Sequence, residues 1–296
     1  MARGRGARAV KSFPTPLETF RNCPRKYAFD RDPGIRARYR RTTVEQFVGT
    51  CVHDALERFF DPSVTPVPAR TFETLVGHLR AAWSGKDMRG KWGAQRRAER
   101  SALFGADRAT EAAAGEKAKH LLWGFVRTQD LAAVPATTEV FHEVPLGGRH
   151  VLAGKIDRVD RDGDALRVVD YKTGKGKTAE QVRADDLQLA AYALIVGRKF
   201  RARVSRCSMI YLKESREVGF EPDPAWLEAK EAEILRLLDA VEAEEGRGGE
   251  GRFPPTPNAL CDWCDYRPLC PEGRAFLEAA AAAEPGAGAE APDPPF

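Results

Sequence analysis

The sequence has no long hydrophobic run, because no stretch approaches the ~18 apolar residues that a transmembrane helix needs. The N-terminal decapeptide MARGRGARAV also lacks the apolar core of a secretory signal. Neither sign of charge dominates, since 47 basic residues face 43 acidic ones and the net charge is only +4 over 296 residues. We therefore expect a cytoplasmic protein without a membrane partner, and the overall charge does not by itself point to a polyanionic one.

Cysteine is present in small numbers, and its use indicates a metal site. Six cysteines in a long chain of cytoplasmic character do not resemble a disulfide framework. The composition is that of a globular protein, with 43% hydrophobic and 30% charged residues. The length suits about two domains of ~150 residues, or one elaborated domain. Metal or cluster ligation is the expected role of the cysteines.

The basic residues are concentrated at the beginning of the chain. Residues 1–41 contain twelve Arg or Lys and only three acids. Such a block suits a polyanionic partner, because each neutralised phosphate releases condensed counterions. A solvated arm with no partner is the alternative, and charge alone does not separate the two.

Hydrophobic periodicity predicts an α/β protein. Apolar residues recur at helical spacing over 44–60, and the Ala-rich stretch that follows to 136 reads as a helical insert. The pattern then changes to three antiparallel strands between 137 and 172, with a turn at Asp162-Gly163. A helix over 180–196, a strand ending near Leu212 and a charged helix over 224–245 complete the predicted core.

Two acids and a lysine fall on two of these strands. Asp157 lies in the second strand, and Asp170 and Lys172 lie in the third, across the hairpin. Residues two apart in a strand share a face, so Asp170 and Lys172 point the same way. Converging carboxylates repel unless a cation such as Mg²⁺ or Mn²⁺ neutralises them. This chemistry suits hydrolysis of a phosphodiester, although an Asp-x-Lys tripeptide alone is more often a surface ion pair.

The surrounding motifs give this constellation a family resemblance. GTCVH, GKIDR, VVDYK and QLAAY occur in that order, and they resemble the RecB-type branch of the PD-(D/E)XK nuclease superfamily. The resemblance implies a restriction-endonuclease-like core of order α-β-β-β-α-β, with a mixed sheet flanked by helices. It covers residues 12–60 and 139–274.

The resemblance also implies roles for individual residues. His53, Asp157, Asp170 and the backbone carbonyl of Tyr171 would bind the metal, and Lys172 would be the catalytic lysine. The pair formed by Gln188 and Tyr192 would support the active site and contact DNA. Arg158 suits a phosphate contact or a structural salt bridge, and both readings stay open. Glu139 and Glu143 are weaker candidates for an auxiliary acid.

The cysteines form a second constellation. Cys261, Cys264 and Cys270 have the spacing C-x2-C-x5-C, and Cys23 lies far upstream. Four thiolates suit either Zn²⁺ or an iron-sulfur cluster, and the spacing does not decide between them. The layout is similar to the AddB-like and CRISPR-adaptation subset of RecB-type nucleases, which implies a 4Fe-4S cluster. The cluster would place the basic residues Arg21, Arg25 and Lys26 beside the bound DNA.

The expected function is a Mg²⁺- or Mn²⁺-dependent DNA exonuclease that acts on single-stranded or frayed ends in repair, recombination or CRISPR spacer acquisition. The sequence has no Walker-type loop and no helicase motif, so a helicase or CRISPR-adaptation partner would supply unwinding. The alternative is an inactive, cluster-bearing DNA-binding module. The predicted segments are 1–60 (basic, with the His-bearing helix), 61–136 (helical insert), 137–245 (nuclease core), 246–275 (cluster segment) and 276–296 (disordered tail).

Overall fold

The computed structural model describes residues 9–86, 91–247 and 251–283, which form two compact units. The first unit contains the described residues up to Arg41, the segment Glu143–Gly154 and the described residues from Pro224 onward. The second unit contains Thr42–His142 and Lys155–Asp223. Each unit is assembled from distant pieces of chain.

The order of helices and strands is that of an α/β fold, as predicted. The strands are β1 (Lys11–Ser12), β2 (Thr137–Leu146), β3 (His150–Asp162), β4 (Ala165–Lys172), β5 (Val204–Tyr211) and β6 (Arg216–Phe220). The helices are α1 (Pro14–Asn22), α2 (Pro24–Arg31), α3 (Pro33–Tyr39), α4 (Val44–Phe60), α5 (Phe72–Ser84), α6 (Lys91–Phe104), α7 (Arg108–Thr128), α8 (Ala179–Asp185), α9 (Leu187–Phe200), α10 (Pro224–Gly246) and α11 (Pro271–Ala283). Of the helices in the described ranges, none has the length and hydropathy to span a bilayer.

The first unit begins with three short helices that each start at a proline. Pro14, Pro24 and Pro33 occupy the first turn of α1, α2 and α3, where the missing N–H costs nothing and the fixed φ favours the helix. The side chain of Asp32 caps α3 by accepting hydrogen bonds from two backbone N–H groups. The segment predicted only as basic is therefore mostly helical.

The second unit contains a mixed sheet. β3 and β4 are antiparallel, with Arg158 opposite Val169 and Asp162 opposite Ala165. β4 and β5 are parallel, which requires a crossover, and α8 and α9 supply it. β6 returns antiparallel to β5. The mixed parallel and antiparallel sheet expected from the sequence is confirmed.

Helices cover both faces of this sheet. The helix α4 begins with a capping box between Thr43 and Gln46, and its apolar stripe packs with α5 and α7 against Val169 and Tyr171 of β4. Because alternate strand residues point to opposite faces, Asp170 and Lys172 point away from this core. They face α9 on the other side of β4, where Lys172 bonds to Gln188.

Two element boundaries differ from those predicted. A break at Asp186, which caps α9, divides the helix expected over 180–196 into α8 and α9. The alanine run after 276 is helical as far as Ala283, because alanine has the highest intrinsic helix propensity. The rest of the predicted disordered tail, 284–296, lies outside the described residues.

Candidate active site

The β3–β4 hairpin brings Asp157 and Asp170 to the same place in the sheet. The last paired residues in the ladder are Arg158 and Val169, and the same register continued by one residue puts Asp157 opposite Asp170. Directly opposite residues of antiparallel strands project to the same face. Beyond the ladder, the carboxylate of Asp157 accepts a 2.8 Å hydrogen bond from the backbone N–H of Tyr171. The predicted ligand at Tyr171 therefore lies beside Asp157.

Two side chains from other elements converge next to Asp157. His53 Nδ1 lies 3.4 Å from Asp157 Oδ2 and 3.4 Å from Glu139 Oε1. One ligand atom from each of His53, Glu139 and Asp157 lies within 4.8 Å of the others. We call these residues the metal trio. Asp170 is outside the trio, although it was predicted as a ligand.

Helix α4 reaches the strands closely enough for this contact because of Gly49. A Cβ at Gly49 would lie 3.2 Å from Thr173 Oγ1, just beyond β4. The glycine of the G-x-x-x-H motif thus allows the close approach of the helix, and His53 follows one turn later on the same side.

Glu139 is the most constrained member of the trio. It lies in β2, yet its φ is +51°, in the left-handed region that a non-glycine residue rarely adopts. Its carboxylate is buried, and Lys155 Nζ pairs with Oε2 at 2.6 Å. No well-directed hydrogen bond from any residue within the described ranges reaches Oε1. Strained residues with unmet polar atoms are concentrated at functional sites.

The charges within the trio depend on each other. Burial disfavours protonation of His53, but Asp157 and Glu139 outweigh it and hold the pKa of the imidazole well above its usual value. Burial likewise acts to raise the pKa of Asp157, but the charge of His53 prevails and the pKa is lowered. Without a bound metal, protonated His53 therefore compensates these carboxylates together with Lys155, which pairs with Glu139.

Asp170 and Lys172 form a second pair beside the trio. Lys172 Nζ lies 2.8 Å from Asp170 Oδ2, and burial raises the pKa of Asp170 to about 7, with Lys172 opposing the shift. Burial acts to lower the pKa of Lys172, but the charge of Asp170 raises it overall. Among the described residues, none donates a well-directed hydrogen bond to either oxygen of Asp170. Oδ2 is engaged by the ion pair with Lys172, and the buried Oδ1 remains available to another ligand.

A chain of hydrogen bonds from α9 holds Lys172 in place. Lys172 Nζ donates to Gln188 Oε1 at 2.6 Å, and Gln188 Nε2 donates to the hydroxyl of Tyr192 at 2.8 Å. The hydroxyl of Tyr192 in turn donates to the backbone carbonyl of Lys155 at 2.8 Å. The two residues of the Q-x-x-x-Y motif therefore connect the lysine of β4 to the backbone of β3.

Comparison with known proteins identifies the family of this chain. Residues 14–271 match the family model described as the PD-(D/E)XK nuclease superfamily. The chain belongs to this superfamily. A solved structure titled "Crystal structure of SSO0001" is similar over 91% of this chain and 90% of that chain, with 16% sequence identity and a TM-score of 0.41. No match is found among curated proteins.

The PD-(D/E)XK site fits a divalent cation. The superfamily implies a metal-dependent nuclease, and the trio supplies two carboxylates and an imidazole. Hard oxygen ligands of this kind suit Mg²⁺ and Mn²⁺. The unmet oxygens of Glu139 and Asp170 are the structural observation that supports the fit, because buried carboxylate oxygens are rarely left without a partner.

The structure places Arg158 in the interior. Its side chain is 4% exposed, bonds to Asp160 through two 2.7 Å contacts and lies over the ring of Phe60 at 4.3 Å. Of the two readings that the sequence left open, this placement favours the structural salt bridge over the phosphate contact.

The sequence indicated Glu139 only weakly as a residue of the site. It did not indicate that Lys155, Asp54 and Glu57 lie around the trio. Glu139 completes the trio, whereas Glu143 pairs with Lys11 in the first unit. Lys155 Nζ lies 3.7 Å from Glu57, and its charge also acts on the pKa of Asp54, which burial raises overall. The sequence pattern that could have indicated Asp54 and Glu57 is their i, i+3 spacing, which puts them on one face of the helix that carries His53.

The four predicted cluster cysteines come together in the first unit. Cys23, Cys261, Cys264 and Cys270 line a single cavity of about 50 Å³. The sulfurs of Cys261 and Cys270 each accept a 3.4 Å hydrogen bond from a backbone N–H, given by Asn258 and Gly273 respectively. Cys51 and Cys207 are buried in the second unit and take no part.

The basic residues predicted to contact DNA are held by carboxylates of the first unit. Arg21 bonds to Glu18 at 2.7 Å and to Glu233 at 3.0 Å. Arg25 bonds to Glu272 at 2.6 Å, and Lys26 bonds to Asp30 at 3.1 Å. The pairs with Glu233 and Glu272 connect α1 to α10 and α2 to α11, and a role of the basic residues in DNA binding stays a prediction.

Proposed function

We propose that this nuclease is a Mg²⁺- or Mn²⁺-dependent DNA exonuclease that acts on single-stranded or frayed ends. The observation that carries the proposal is the convergence of His53, Glu139 and Asp157 beside the Asp170–Lys172 pair. DNA repair, recombination and CRISPR spacer acquisition are the processes in which such an activity would serve, in the cytoplasm.

The trio and Asp170 would hold the cation. A divalent cation at such a site polarises a phosphodiester and lowers the pKa of a water bound to it. His53 must give up its proton to become a ligand, and the carboxylates of Asp157 and Glu139 must stay ionised. The cation would take the place of the protonated His53, whose charge lowers the pKa of Asp157 against the effect of burial.

Lys172 acts as a cation rather than as a base. Its pKa is raised by Asp170 and Asp186 against the effect of burial, so it keeps its proton at neutral pH. The ammonium group can therefore donate a hydrogen bond to a phosphate oxygen or to the attacking water, and it can offset charge that develops in the transition state. Gln188 and Tyr192 would orient it for this role.

A 4Fe-4S cluster is the proposed second cofactor, with Cys23, Cys261, Cys264 and Cys270 as ligands. The proposal is supported by the C-x2-C-x5-C spacing with a distant fourth cysteine, which resembles the cluster-bearing subset, and by the common cavity that the four cysteines line. The N–H···S bonds at Cys261 and Cys270 are of the kind that tune cluster potentials.

The experiment is a digestion of end-labelled single-stranded DNA, with a closed single-stranded circle as the substrate without ends. With Mg²⁺ or Mn²⁺, we expect the linear strand to be degraded and the circle to survive. Lys172→Ala and Asp157→Ala should each lower the rate by at least about 100-fold while DNA binding persists.

Matched controls are available on the same hairpin and just beyond it. Asp164 and Lys175 are exposed, so Asp164→Ala and Lys175→Ala should leave the rate unchanged. Cleavage that survives Lys172→Ala would reject the site. Binding of DNA by the unaltered protein with no cleavage under either cation would instead favour the inactive DNA-binding module that serves a helicase or recombination partner.

A further inference from the structure

The outer face of α7, in the helical insert, carries an exposed aromatic side chain among cations. Leu121, Leu122 and Phe125 are buried on the inner face of the helix. The opposite face presents His120, Trp123 and Arg127 to solvent, and Trp123 is 44% exposed. Nothing in the site described above uses this stripe.

Beside Trp123 lies an open groove with a volume of about 750 Å³. Its lining includes Phe72 at the start of α5, Lys117 and Lys119 on α7, and Lys213 after β5. We call it the α7 groove. Its basic side chains outnumber its one lining acid, Glu116, which pairs with Lys119 at 2.6 Å.

The ring of Trp123 is held in a fixed orientation. Phe72 meets it in a T-shaped contact with ring centroids 5.0 Å apart, and the guanidinium of Arg127 lies 5.8 Å from its centre. An aromatic ring that is held by its neighbours and is still 44% exposed can form a platform on which another flat group stacks at low entropic cost.

The groove begins at the same end of the sheet as the catalytic lysine. Lys213 comes two residues after Tyr211, the last residue of β5, and Tyr211 pairs with Lys172 of β4. Gly124 of α7 sits directly against the turn that follows β5, since a Cβ there would lie 1.9 Å from Ser215 Oγ. Because Gly124 has no side chain, α7 can approach the turn after β5, and Trp123 lies close to the same end of the sheet.

We propose that the α7 groove binds single-stranded DNA, with a base stacked on Trp123 and phosphates contacted by Lys119, Lys213 and Arg127. This rests on the proposed function, which makes DNA the substrate. Stacking platforms with flanking cations bind single strands without sequence preference, because every base has a π-face and every nucleotide a phosphate. The surplus of cations around one aromatic ring favours a polyanion over an apolar peptide as the occupant.

The test is binding of a fluorescein-labelled oligothymidine in EDTA, measured by anisotropy at several salt concentrations, so that cleavage plays no part. Trp123→Ala should weaken binding by about 5- to 150-fold, the range for loss of one stacked base, and Trp123→Phe should retain most of it. Lys213→Ala should reduce the salt dependence by about 0.7 in slope. Lys199→Ala, which alters an exposed lysine on α9, is the matched control and should have no effect.

The outcomes separate this proposal from the one on which it rests. If the unaltered protein binds and cleaves single strands and both Trp123→Ala and Lys213→Ala bind equally well, with melting temperatures preserved, the groove is not the binding surface. If the unaltered protein neither binds nor cleaves DNA, the proposed function itself fails, and the groove assignment fails with it.

Discussion

Single residues at the active site are held in states that an ordinary surface residue avoids. Glu139 has a left-handed φ of +51°, and Asp170 is 1% exposed with a charged lysine as its close neighbour. The backbone conformation of Glu139 costs about 1–3 kcal/mol and persists where the surroundings enforce it. The cost is offset when a cation binds, because binding to the native state alone stabilises it.

The pKa of Asp170 predicts how pH controls stabilisation by a divalent cation. Burial raises this pKa from 3.8 to about 7, so in the metal-free protein the stability that protonated Asp170 contributes is present below 3.8 and is lost as the pH rises from there to about 7. A bound cation favours the ionised carboxylate. The increase in melting temperature at a fixed free Mn²⁺ concentration should therefore be larger at pH 8 than at pH 6.

Asp170→Asn should weaken the response to pH, and Asp164→Asn, an exposed acid on the same hairpin, should leave it unchanged. An equal shift in melting temperature at both pH values in the unaltered protein would contradict the prediction.

At the scale of elements, the site depends on contacts between α4, α9 and the β3–β4 hairpin. Gly49 sets the approach of α4, and the Gln188–Tyr192 pair connects α9 to both strands. Residues four apart on a helix lie on the same face, so one helical turn is enough to reach from Lys172 to the backbone of Lys155.

Tyr192→Phe tests the connection through α9. It removes the donor to the carbonyl of Lys155 and the acceptor for Gln188, and both groups lie in a partly buried environment. We expect the free energy of unfolding to fall by about 1–3 kcal/mol and the cleavage rate to fall about tenfold, because Gln188 no longer orients Lys172.

Tyr27→Phe is the matched control. Tyr27 is also buried, but its hydroxyl has no hydrogen-bond partner among the residues described, so its removal should be neutral or stabilising. Equal effects of the two substitutions on chemical denaturation would rule out the proposed connection.

At the scale of the whole molecule, the first unit depends on residues far apart in the chain. Cys23 and the cysteines at 261, 264 and 270 line one cavity, and Arg25 pairs with Glu272. If these thiolates bind a cluster, the free energy of ligation becomes free energy of folding, since the unfolded chain does not bring them together.

Iron content tests this arrangement. Protein purified without oxygen should be brown and contain about four irons and four sulfides per chain. Cys264→Ala should lose the iron and melt at a lower temperature, whereas Cys207→Ala, a buried cysteine outside the cavity, should retain it. A colourless protein that contains zinc instead would reject the cluster, and the nuclease proposal would be unaffected.

Local pattern was sufficient for much of the fold. The apolar stripe of α4, the β3–β4 hairpin at Asp162-Gly163 and the alternation that puts Asp170 and Lys172 on one face all depend on neighbours within a few residues. The motif order was then enough to predict the PD-(D/E)XK superfamily, which the family match confirms.

The sequence by itself thus determined the strands β2 to β5, most of the helices around them and the residue types available for catalysis, but not the short helices α1 to α3. Only the tertiary structure decided that Glu139 rather than Glu143 joins His53, that Arg158 is buried against Asp160, and that Trp123 lies open beside Lys213. The physical reason is that these outcomes depend on which side chains from distant segments meet when the helices pack on the sheet. Hydrophobic periodicity specifies the face that a helix buries, but not the partner that it meets there.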